Sequence, residues 1–330
     1  MNQAGRNAGV TVFGEKIMDY IRIGPWTLKK LICLRKYLYA YTKIIPRYFR
    51  RYCYIDTNAG PGVNKVTIKG VEKEVNGSPL IALKTQPRFT DYVFIEKKRK
   101  YADSLRKRVE ELTGVKAQEI IEHVWEIKDK ATRIRIVRGD CNSYAQQVIS
   151  WIPPRAHCFV FIDPSGLEVD WETVESFAEV KRVELLMNFQ LSGMWRCIGQ
   201  GKSTERVNRC LGTSTWADIK LMNERGAISS EEAQERIVRL RLDQLKTYRF
   251  THMPIMPVDN LRGRLLYVLI FSTRNDTAGK IMRGIMDSLK RWKGRVSEDM
   301  AAIALGVQTT LEEYSEPRQL TLERYFSRSV

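Results

Sequence analysis

Four acidic residues each follow a short apolar run: Asp56, Glu96, Asp140 and Asp163. The runs have the β-branched and aromatic composition of strands, so each acid is expected at the carboxyl end of a strand. In an open α/β sheet these ends lie along one edge, where ligands bind. Carboxylates at that edge could accept hydrogen bonds from the hydroxyl and amine groups of a nucleotide-type ligand.

Two glycines follow the first acid in the run Asp56-Thr57-Asn58-Ala59-Gly60-Pro61-Gly62. Glycine permits a sharp turn and a close approach of the backbone to a ligand. Glu96 lies farther from the glycines than the usual ~20 residues of nucleotide-binding units. The polar segment 63–77, expected to be a loop or small hairpin, explains the excess. Glu96 could instead be a charge that favours the start of a helix, and Asp140 a helix cap.

The fourth apolar run, His157 to Ile162, has the composition of a central parallel strand buried on both faces. It ends in Asp163-Pro164-Ser165-Gly166, which places an acid and a tight turn beside the crevice at the first strand. A fifth run, Glu184 to Phe189, ends in amides. The repetition of strand, polar end and helix predicts an α/β fold with parallel strands. Later runs at 250–258 and 265–271 predict an antiparallel pair that closes one edge.

The chain is strongly basic, with a net charge of +17 and a pI of about 9.6 over 330 residues. Such a charge favours polyanionic partners, although a solvated basic surface is the alternative. The six cysteines are widely spaced and only three histidines occur, which argues against zinc, iron–sulfur and disulfide sites. We therefore expect no metal and a reducing, cytoplasmic location. No apolar run reaches the ~20 residues of a membrane span.

A basic and aromatic segment precedes the first strand, and it contains no acid from Tyr20 to Tyr52. Residues 27–45 have the apolar spacing of a helix. Lysine and arginine can neutralise phosphates, and aromatic rings can stack on bases. The alternative is a packing helix with a basic solvent face. The residues predicted to contact nucleic acid are Lys29, Lys30, Arg35, Lys36, Arg47, Arg50 and Arg51.

This array resembles the class I S-adenosylmethionine-dependent methyltransferases, and most closely the three-Cys-motif partner (TcmP) family. That resemblance implies a Rossmann-like fold with five parallel strands and an antiparallel hairpin. It also implies a possible partner that carries a cysteine motif. The resemblance spans residues 26–289, and the motifs that carry it are Trp26 with Lys30, Tyr54-Ile55-Asp56, Ala59-Gly60-Pro61-Gly62, Gly77-Ser78-Pro79-Leu80, Phe94-Ile95-Glu96, Gly139-Asp140 with Asn142, Phe161-Ile162-Asp163-Pro164 with Gly166, Asn188-Phe189 and Gly193-Met194.

The resemblance implies S-adenosylmethionine as the cofactor. In such enzymes Asp56 would bind the amino group of the methionine moiety, Glu96 the ribose and Asp140 the adenine amine. Asp163 and Pro164 would face the methyl acceptor as catalytic residues. The second proline and the stacking aromatic of base-amine methyltransferases are absent here, which argues against a base amine as the acceptor. The implied cofactor-binding residues are Asp56, Gly60, Gly62, Glu96, Asp140 and Cys141.

A further motif lies near the C-terminus in Gln319-Leu320-Thr321-Leu322-Glu323-Arg324-Tyr325-Phe326. It resembles the box with which proteins bind the PCNA sliding clamp. One helical turn would place Leu322, Tyr325 and Phe326 on one face as an apolar plug, with Gln319 beside them. The alternative is a terminal turn that packs on its own domain. Clamp binding implies work on DNA at replication or repair sites in an archaeal or eukaryotic organism.

We therefore expect a basic helical N-terminal extension over 1–52 and a methyltransferase-like α/β domain over 53–273. A helical insertion should occupy 194–247, C-terminal helices 274–316 and the clamp-binding tail 317–330. The leading hypothesis is methyl transfer to nucleic acid, with DNA as the expected type, after recruitment by PCNA. The alternative is an adaptor that binds DNA and clamp without catalysis. A weaker alternative is a nuclease in which the four acids bind magnesium.

Overall fold

The computed structural model of the chain describes residues 8–13, 16–68, 70–200, 203–260 and 262–290. The clamp-binding motif predicted at Gln319 to Phe326 lies outside the described residues. None of the described helices combines the length and the apolar character that crossing a membrane requires.

Strands and helices alternate through the middle of the chain. The strands are β1 (Ala8–Phe13), β2 (Lys16–Ile23), β3 (Tyr52–Asp56), β4 (Val63–Ile68), β5 (Val71–Asn76), β6 (Asp91–Glu96), β7 (Gln118–Ile121), β8 (Val124–Asp129), β9 (Thr132–Arg138), β10 (His157–Ile162), β11 (Val183–Phe189), β12 (Ile255–Asp259) and β13 (Leu265–Ser272). The helices are α1 (Thr27–Ile44), α2 (Ser78–Lys84), α3 (Arg99–Thr113), α4 (Cys141–Ser150), α5 (Trp171–Glu179), α6 (Leu191–Gly199), α7 (Thr204–Leu211), α8 (Trp216–Glu224), α9 (Ser230–Thr247) and α10 (Asp276–Lys290).

The centre of the main sheet consists of parallel strands in the order β9-β6-β3-β10-β11. Counted along the chain, these are the third, second, first, fourth and fifth predicted strands, which is the doubly wound order of Rossmann-like folds. The predicted fold class is therefore confirmed. The strand order reverses between β3 and β10, so a crevice is expected at their carboxyl ends, beside Asp56 and Asp163.

Antiparallel strands extend both edges of this sheet. On one edge β13 pairs with β11 and β12 pairs with β13, as predicted. On the other edge β8 and β7 continue the sheet beyond β9, and the sequence did not indicate this pair. Every residue of β7 is exposed, including Ile120 and Ile121. Because β7 buries no face, its sequence lacks the alternation of apolar residues that marks a strand.

The segment before α1 differs from the predicted helical extension. It forms β1 and β2, and β2 pairs in parallel with β4 in a separate four-stranded sheet. Met18 and Tyr20 of β2 are both buried, which is the period-two pattern of a strand. The hairpin expected over 63–77 is present as β4 and β5, which complete this second sheet.

The core occupies both faces of the main sheet because side chains of its central strands alternate. In β3, Tyr54 packs on one face beside Phe159, and Ile55 belongs to the cluster on the opposite face. Helix α1 covers the first face and packs against α10. Its Tyr37 ring lies 5.5 Å from the ring of Phe159. Helix α1 is therefore a core element that precedes the sheet in sequence.

The helical insertion between β11 and β12 consists of α6, α7, α8 and α9. Helix α9 begins at an N-cap, where the Ser229 hydroxyl accepts a hydrogen bond of 3.0 Å from the Glu232 amide. Ala233, Ile237 and Leu245 are buried on its inner face. Ile237 and Leu245 belong to the same core cluster as Ile55. The insertion thus packs on the face of the sheet opposite α1.

Candidate functional site

The Asp56 carboxylate lies inside the molecule at the end of β3. The residue has no solvent exposure. Its oxygens accept hydrogen bonds of 3.2 Å from the Tyr54 hydroxyl and from the Asn58 amide. Burial raises the pKa of Asp56 to about 7, and a hydrogen bond with the Ser78 side chain opposes that rise. Groups of the chain itself thus form hydrogen bonds with the carboxylate that, by the family resemblance, would bind the amino group of the cofactor.

A hydrogen bond joins the glycine loop after β3 to the carboxyl end of β6. The Gly60 amide donates to Glu96 Oε2 at 2.8 Å, and the Lys98 amide donates to Oε1 at 2.7 Å. Burial raises the pKa of Glu96, while these two backbone donors lower it. Each carboxylate oxygen retains a second lone pair. The structure therefore brings two predicted site elements together and fixes the orientation of the Glu96 carboxylate.

The two glycines of the loop have different surroundings. Gly60 and Gly62 have φ values of +67° and +89°, which strain other residues. A Cβ atom at Gly62 would lie 3.1 Å from Leu105 and 3.3 Å from Leu80. A Cβ atom at Gly60 would lie 3.2 Å from Ile21 of β2. The side-chain position at Gly62 thus faces α2 and α3, so their packing requires a glycine there.

Asp140 caps α4, which is the alternative that the sequence left open. Its Oδ1 accepts from the Asn142 amide at 2.9 Å, and its Oδ2 accepts from Lys97 Nζ at 2.7 Å. Burial raises the pKa of Asp140, but these bonds outweigh that effect and the net shift is downward. The side chain keeps 30% exposure. Asp140 is thus a partly accessible carboxylate at the edge of the sheet.

Cys141, the first residue of α4, is buried beside Asp140. Burial raises the pKa of its thiol to about 12, so the sulfur is a neutral, apolar contact at physiological pH.

Asp163 is held through one oxygen of its carboxylate. Lys30 Nζ and Asn188 Nδ2 lie 2.5 and 2.6 Å from Asp163 Oδ1. Both of these donors bond to the same oxygen, and the side chain keeps 16% exposure. The Lys30 ammonium also lies 5.6 Å from the centre of the Tyr267 ring. The carboxylate is therefore oriented by two donors and is partly accessible.

The loop after Asp163 is tied to the start of α6. The Gln190 amide nitrogen donates to the Pro164 carbonyl at 3.1 Å. Gly166 donates its amide to Glu168 Oε2 at 2.6 Å. The Pro164 carbonyl, predicted to face the methyl acceptor, thus already has a donor from the chain.

The carboxyl edge fits the nucleoside half of S-adenosylmethionine better than the methionine half. Glu96 has lone pairs for ribose hydroxyls, and Asp140 is accessible to an exocyclic amine. Asp56 is enclosed and bonded to the chain. The residues present can therefore hold the adenosine part, while contact of Asp56 with the amino group would require its burial to change.

The carboxylates do not form a metal centre. Within the described residues, no group of three or more histidine, cysteine, aspartate or glutamate side chains could hold a metal ion. The interpretation of Asp56, Glu96, Asp140 and Asp163 as a magnesium cluster thus has no geometric support in this part of the chain.

One predicted nucleic-acid contact, Lys30, is wrong. Only 7% of Lys30 is exposed, and its ammonium is paired with Asp163. Lysines are rarely buried without a partner, and the partner here comes from the end of β10. Its sequence position in a basic helix gives no sign of that pairing.

The other predicted basic contacts differ in their accessibility. Lys29, Arg35 and Lys36 are half-buried on α1, and burial lowers the pKa of Arg35 and Lys36. Arg51 is engaged by Asp91, with a shortest N–O distance of 2.7 Å. The exposed members of the set are Arg47 and Arg50.

A group of exposed cations lies instead beside the carboxyl edge of the sheet. Residues Lys97 to Lys100 follow β6, and all are exposed at the start of α3. The first turn of that helix contains no acid, although acids are favoured there by the helix dipole. We name Lys97, Lys98, Arg99 and Lys100 the edge cations.

Helix α7 brings two further arginines to Asp170, which precedes α5. Arg206 lies 3.4 Å from Asp170, and Arg209 forms a second ion pair with it. Asp170 occupies the N-cap position of α5, but its carboxylate makes no capping bond. It fastens the helical insertion to the β10–α5 connection instead.

Sequence reasoning missed the roles of Lys30 and Asn188, and it missed the burial of Arg241 in α9, which is 1% exposed. Asn188 is an amide at the end of the fifth parallel strand, and that position is the signal that could have suggested contact with Asp163. Lys30 and Arg241 lie in basic helices, where nothing in the local pattern distinguishes a buried cation from a solvated one.

No family model matches the chain, and no curated protein matches it. The resemblance to the three-Cys-motif partner family therefore stays a prediction. Among solved structures, Trm1 from Pyrococcus horikoshii in complex with S-adenosyl-L-methionine is similar with a TM-score of 0.45 and 10% identity. The match covers 78% of this chain but only 57% of that chain.

A second solved structure is a protein of the DUF519 family from Legionella pneumophila strain Philadelphia 1. Its TM-score is 0.49 at 11% identity, and the match covers 83% of this chain and 94% of that chain. Both likenesses concern the course of the backbone and assign no ligand or activity to this chain.

Proposed function

We propose that this protein is a methyltransferase that uses S-adenosylmethionine and acts on nucleic acid, with DNA as the expected acceptor. The observation that carries the proposal is the state of Asp163 beside the switch point of the sheet. Its carboxylate is oriented through Oδ1 by Lys30 and Asn188, and the side chain keeps 16% exposure. An acceptor with an N–H or O–H group would donate to Oδ2.

S-adenosylmethionine, when bound, supplies an activated methyl group. Glu96 would accept the ribose hydroxyls, because two backbone amides fix its carboxylate and leave one lone pair on each oxygen. Asp140 would accept the adenine amine beside the buried Cys141. Asp56 would not contact the ligand. Its carboxylate would hold the turn at Asn58 by accepting the hydrogen bond from the Asn58 amide.

Lys30 and Asn188 would be positioning residues for the acceptor. Their two donors fix the Asp163 carboxylate in one orientation, and a fixed acceptor of hydrogen bonds loses less entropy when it engages a substrate. The Asp163-Pro164-Ser165-Gly166 turn offers no aromatic ring for stacking on a flipped base. The structure of this turn therefore favours an acceptor group recognised by hydrogen bonding rather than by stacking.

The edge cations favour a polyanionic substrate. They lie at the same edge as Glu96 and Asp140, so a phosphate backbone bound to them would pass the proposed cofactor site. The tail motif at Gln319 to Phe326 would bring the protein to the PCNA clamp, and clamp binding is the reason to expect DNA. A protein with a cysteine motif remains a further proposed partner.

The second candidate function is an adaptor that binds DNA and clamp without methyl transfer. Its supporting observation is the enclosure of Asp56, which is fully buried and bonded to Tyr54 and Asn58. A cofactor whose amino group needs that carboxylate would find it inaccessible. Clamp binding in this case would not depend on any residue of the carboxyl edge.

Calorimetric titration with S-adenosylmethionine tests the first function. We expect one saturable site, and Glu96→Gln should weaken it roughly tenfold to a hundredfold because a bond to a charged group is lost. Glu111→Gln, on the exposed face of α3, is the matched control and should bind like the wild type. Absence of binding at saturating cofactor would leave the adaptor as the better account.

A clamp titration tests the tail independently. Tyr325→Ala should abolish binding to PCNA, whereas Tyr314→Ala, which changes the same residue type shortly before the tail, should bind like the wild type. If both variants bind clamp equally well, recruitment by the tail motif is wrong even if the cofactor site is correct.

A further inference from the structure

A buried arginine lines a small cavity behind the loop that follows Asp163. Arg241 of α9 is 1% exposed. The cavity has a volume of about 20 Å³, and its wall includes Arg241, Asn188, Gln190 and Cys210. That volume holds one group of the size of a water molecule. The cavity lies on the insertion side of the sheet and contains neither Glu96 nor Asp140.

Arg241 has no anionic partner among the described residues. Its Nη2 donates to the Cys210 carbonyl at 2.5 Å, while Nε and Nη1 have no acceptor. Three of the five N–H donors of the guanidinium are therefore unsatisfied. Burial lowers the pKa of Arg241 to about 10, so the group is still charged at neutral pH. Arg241 is therefore a buried cation with unsatisfied hydrogen-bond donors.

Aromatic rings compensate only part of this charge. The guanidinium carbon lies 4.4 Å from the centre of the Trp171 ring and 5.4 Å from that of Phe189. Cation–π contacts stabilise the charge through the ring faces, but they leave the unpaired N–H groups without an acceptor. An isolated buried charge is costly unless an opposite charge accompanies it.

We infer that this cavity is an anion site, in which a chloride-sized ion or one oxygen of a carboxylate or phosphate binds Arg241. A water molecule would satisfy N–H donors but would leave the charge uncompensated. The rim of the cavity includes Gln190 and Gly166, both half-exposed, and Ser165 beside them is exposed. An anionic group can therefore approach from the side of the Pro164 turn.

The occupied site would connect the helical insertion to the candidate acceptor loop. Arg241 belongs to α9, and Asn188, which also lines the cavity, donates to Asp163. The unpaired Oδ1 of Asn188 is available to a hydroxyl of the anion or to an accompanying water. The inference does not require S-adenosylmethionine, because no cofactor-binding residue of the proposed site lines this cavity.

Thermal unfolding of the full chain in increasing sodium chloride, acetate or phosphate tests the inference. An anion at ten times its Kd should raise the wild-type Tm by roughly 2 °C. Arg241→Met should lose that rise, because it fills the cavity wall without a charge. Arg239→Met is the matched control on the same helix: it removes one exposed cation and should keep the rise.

The three salts distinguish the sources of the anion. A rise in chloride indicates a single-atom ion, and a rise in acetate or phosphate alone indicates an oxyanion. Equal rises in all three proteins would overturn the inference, since the effect would then come from the basic surface. If Arg241→Met does not fold, a bromide-soaked wild-type crystal decides: an anomalous peak at Arg241 supports the site, and a water there overturns it.

Discussion

The ammonium group of Lys30 lies 2.5 Å from Asp163 Oδ1, although 133 residues separate the two in sequence. Both side chains are largely buried, with 8% and 16% of their surface exposed. The pair connects α1 to the carboxyl end of β10. The helix that precedes the sheet is thereby attached to the candidate acceptor site, and this contact supports both the fold and the orientation of Asp163.

Replacing Lys30 by Met should destabilise the protein by roughly 3 kcal/mol, because removal of one partner leaves a buried carboxylate uncompensated. Lys29→Met is the control, since Lys29 is half-buried on the same helix and forms no ion pair with the described residues. Urea unfolding measures both. The double variant Lys30→Met/Asp163→Asn should recover part of the loss. Equal losses for the two single lysine variants would contradict a specific role for the pair.

Stability should fall between pH 5.5 and pH 8 through Glu184. Burial raises the pKa of Glu184 to about 7 from its ordinary value of 4.5, while hydrogen bonds from Tyr37 and Thr273 lower it. The folded state therefore binds more protons than the unfolded state in this range, so its stability decreases as pH rises. The contribution that disappears between these two pH values is about 2 kcal/mol.

The variant Glu184→Gln isolates this effect because the amide does not titrate. As pH rises from 5.5 to 8, the free energy of unfolding of the wild type should fall by about 2 kcal/mol relative to that of Glu184→Gln. Asp56 titrates with a similar pKa of about 7 and is present in both proteins, so it cancels. The exposed Glu172→Gln serves as the control. A constant difference between wild type and Glu184→Gln would show that Glu184 is ionised throughout.

Gly62→Ala should cost more stability than Gly70→Ala. Both glycines have positive φ, at +89° and +80°, so each substitution introduces backbone strain of about 1 kcal/mol. Only Gly62 would also press a methyl group against Leu105 and Leu80, while nothing lies within 4 Å at Gly70. Crowding in a packed core adds roughly 1–3 kcal/mol. Chemical unfolding of the two variants separates strain from packing, and equal losses would exclude the packing role.

The sequence indicates the parallel strands because burial on both faces leaves a clear composition. All residues of β3 are buried, and the run Tyr52 to Ile55 has the aromatic and β-branched residues that a central strand requires. Once these strands are recognised, the location of each acid at a strand end can be predicted from its place in the sequence. Glu96 and the glycine loop are close because adjacent parallel strands end at the same edge, which is why that part of the site could be predicted.

The remaining features depend on partners that are distant in sequence. Lys30 and Arg241 occur in basic helices, and their burial results from contacts with the end of β10 and with the insertion. Strand β7 is held by backbone pairing to β8, which leaves no pattern in its side chains. Asp56 shows the same limit: its position was predicted, but its hydrogen bond with the Ser78 side chain comes from α2, a helix that follows later in the sequence.

The edge cations should dominate binding to nucleic acid. Lys98 and Arg99 are exposed at the start of α3, and each phosphate neutralised by a protein cation adds about 0.9 to the slope of log affinity against log salt for duplex DNA. Lys98→Ala/Arg99→Ala should therefore lower the slope by about 2 and weaken binding at low salt. Lys73→Ala/Lys181→Ala removes the same charge from β5 and from the connection before β11, and should leave the slope unchanged.

Fluorescence anisotropy with a duplex DNA and a single-stranded RNA of equal length measures both variants and compares the two acceptor types. If both double variants lower the slope equally, the net charge of +17 alone attracts nucleic acid, and the carboxyl edge is not the surface on which it binds.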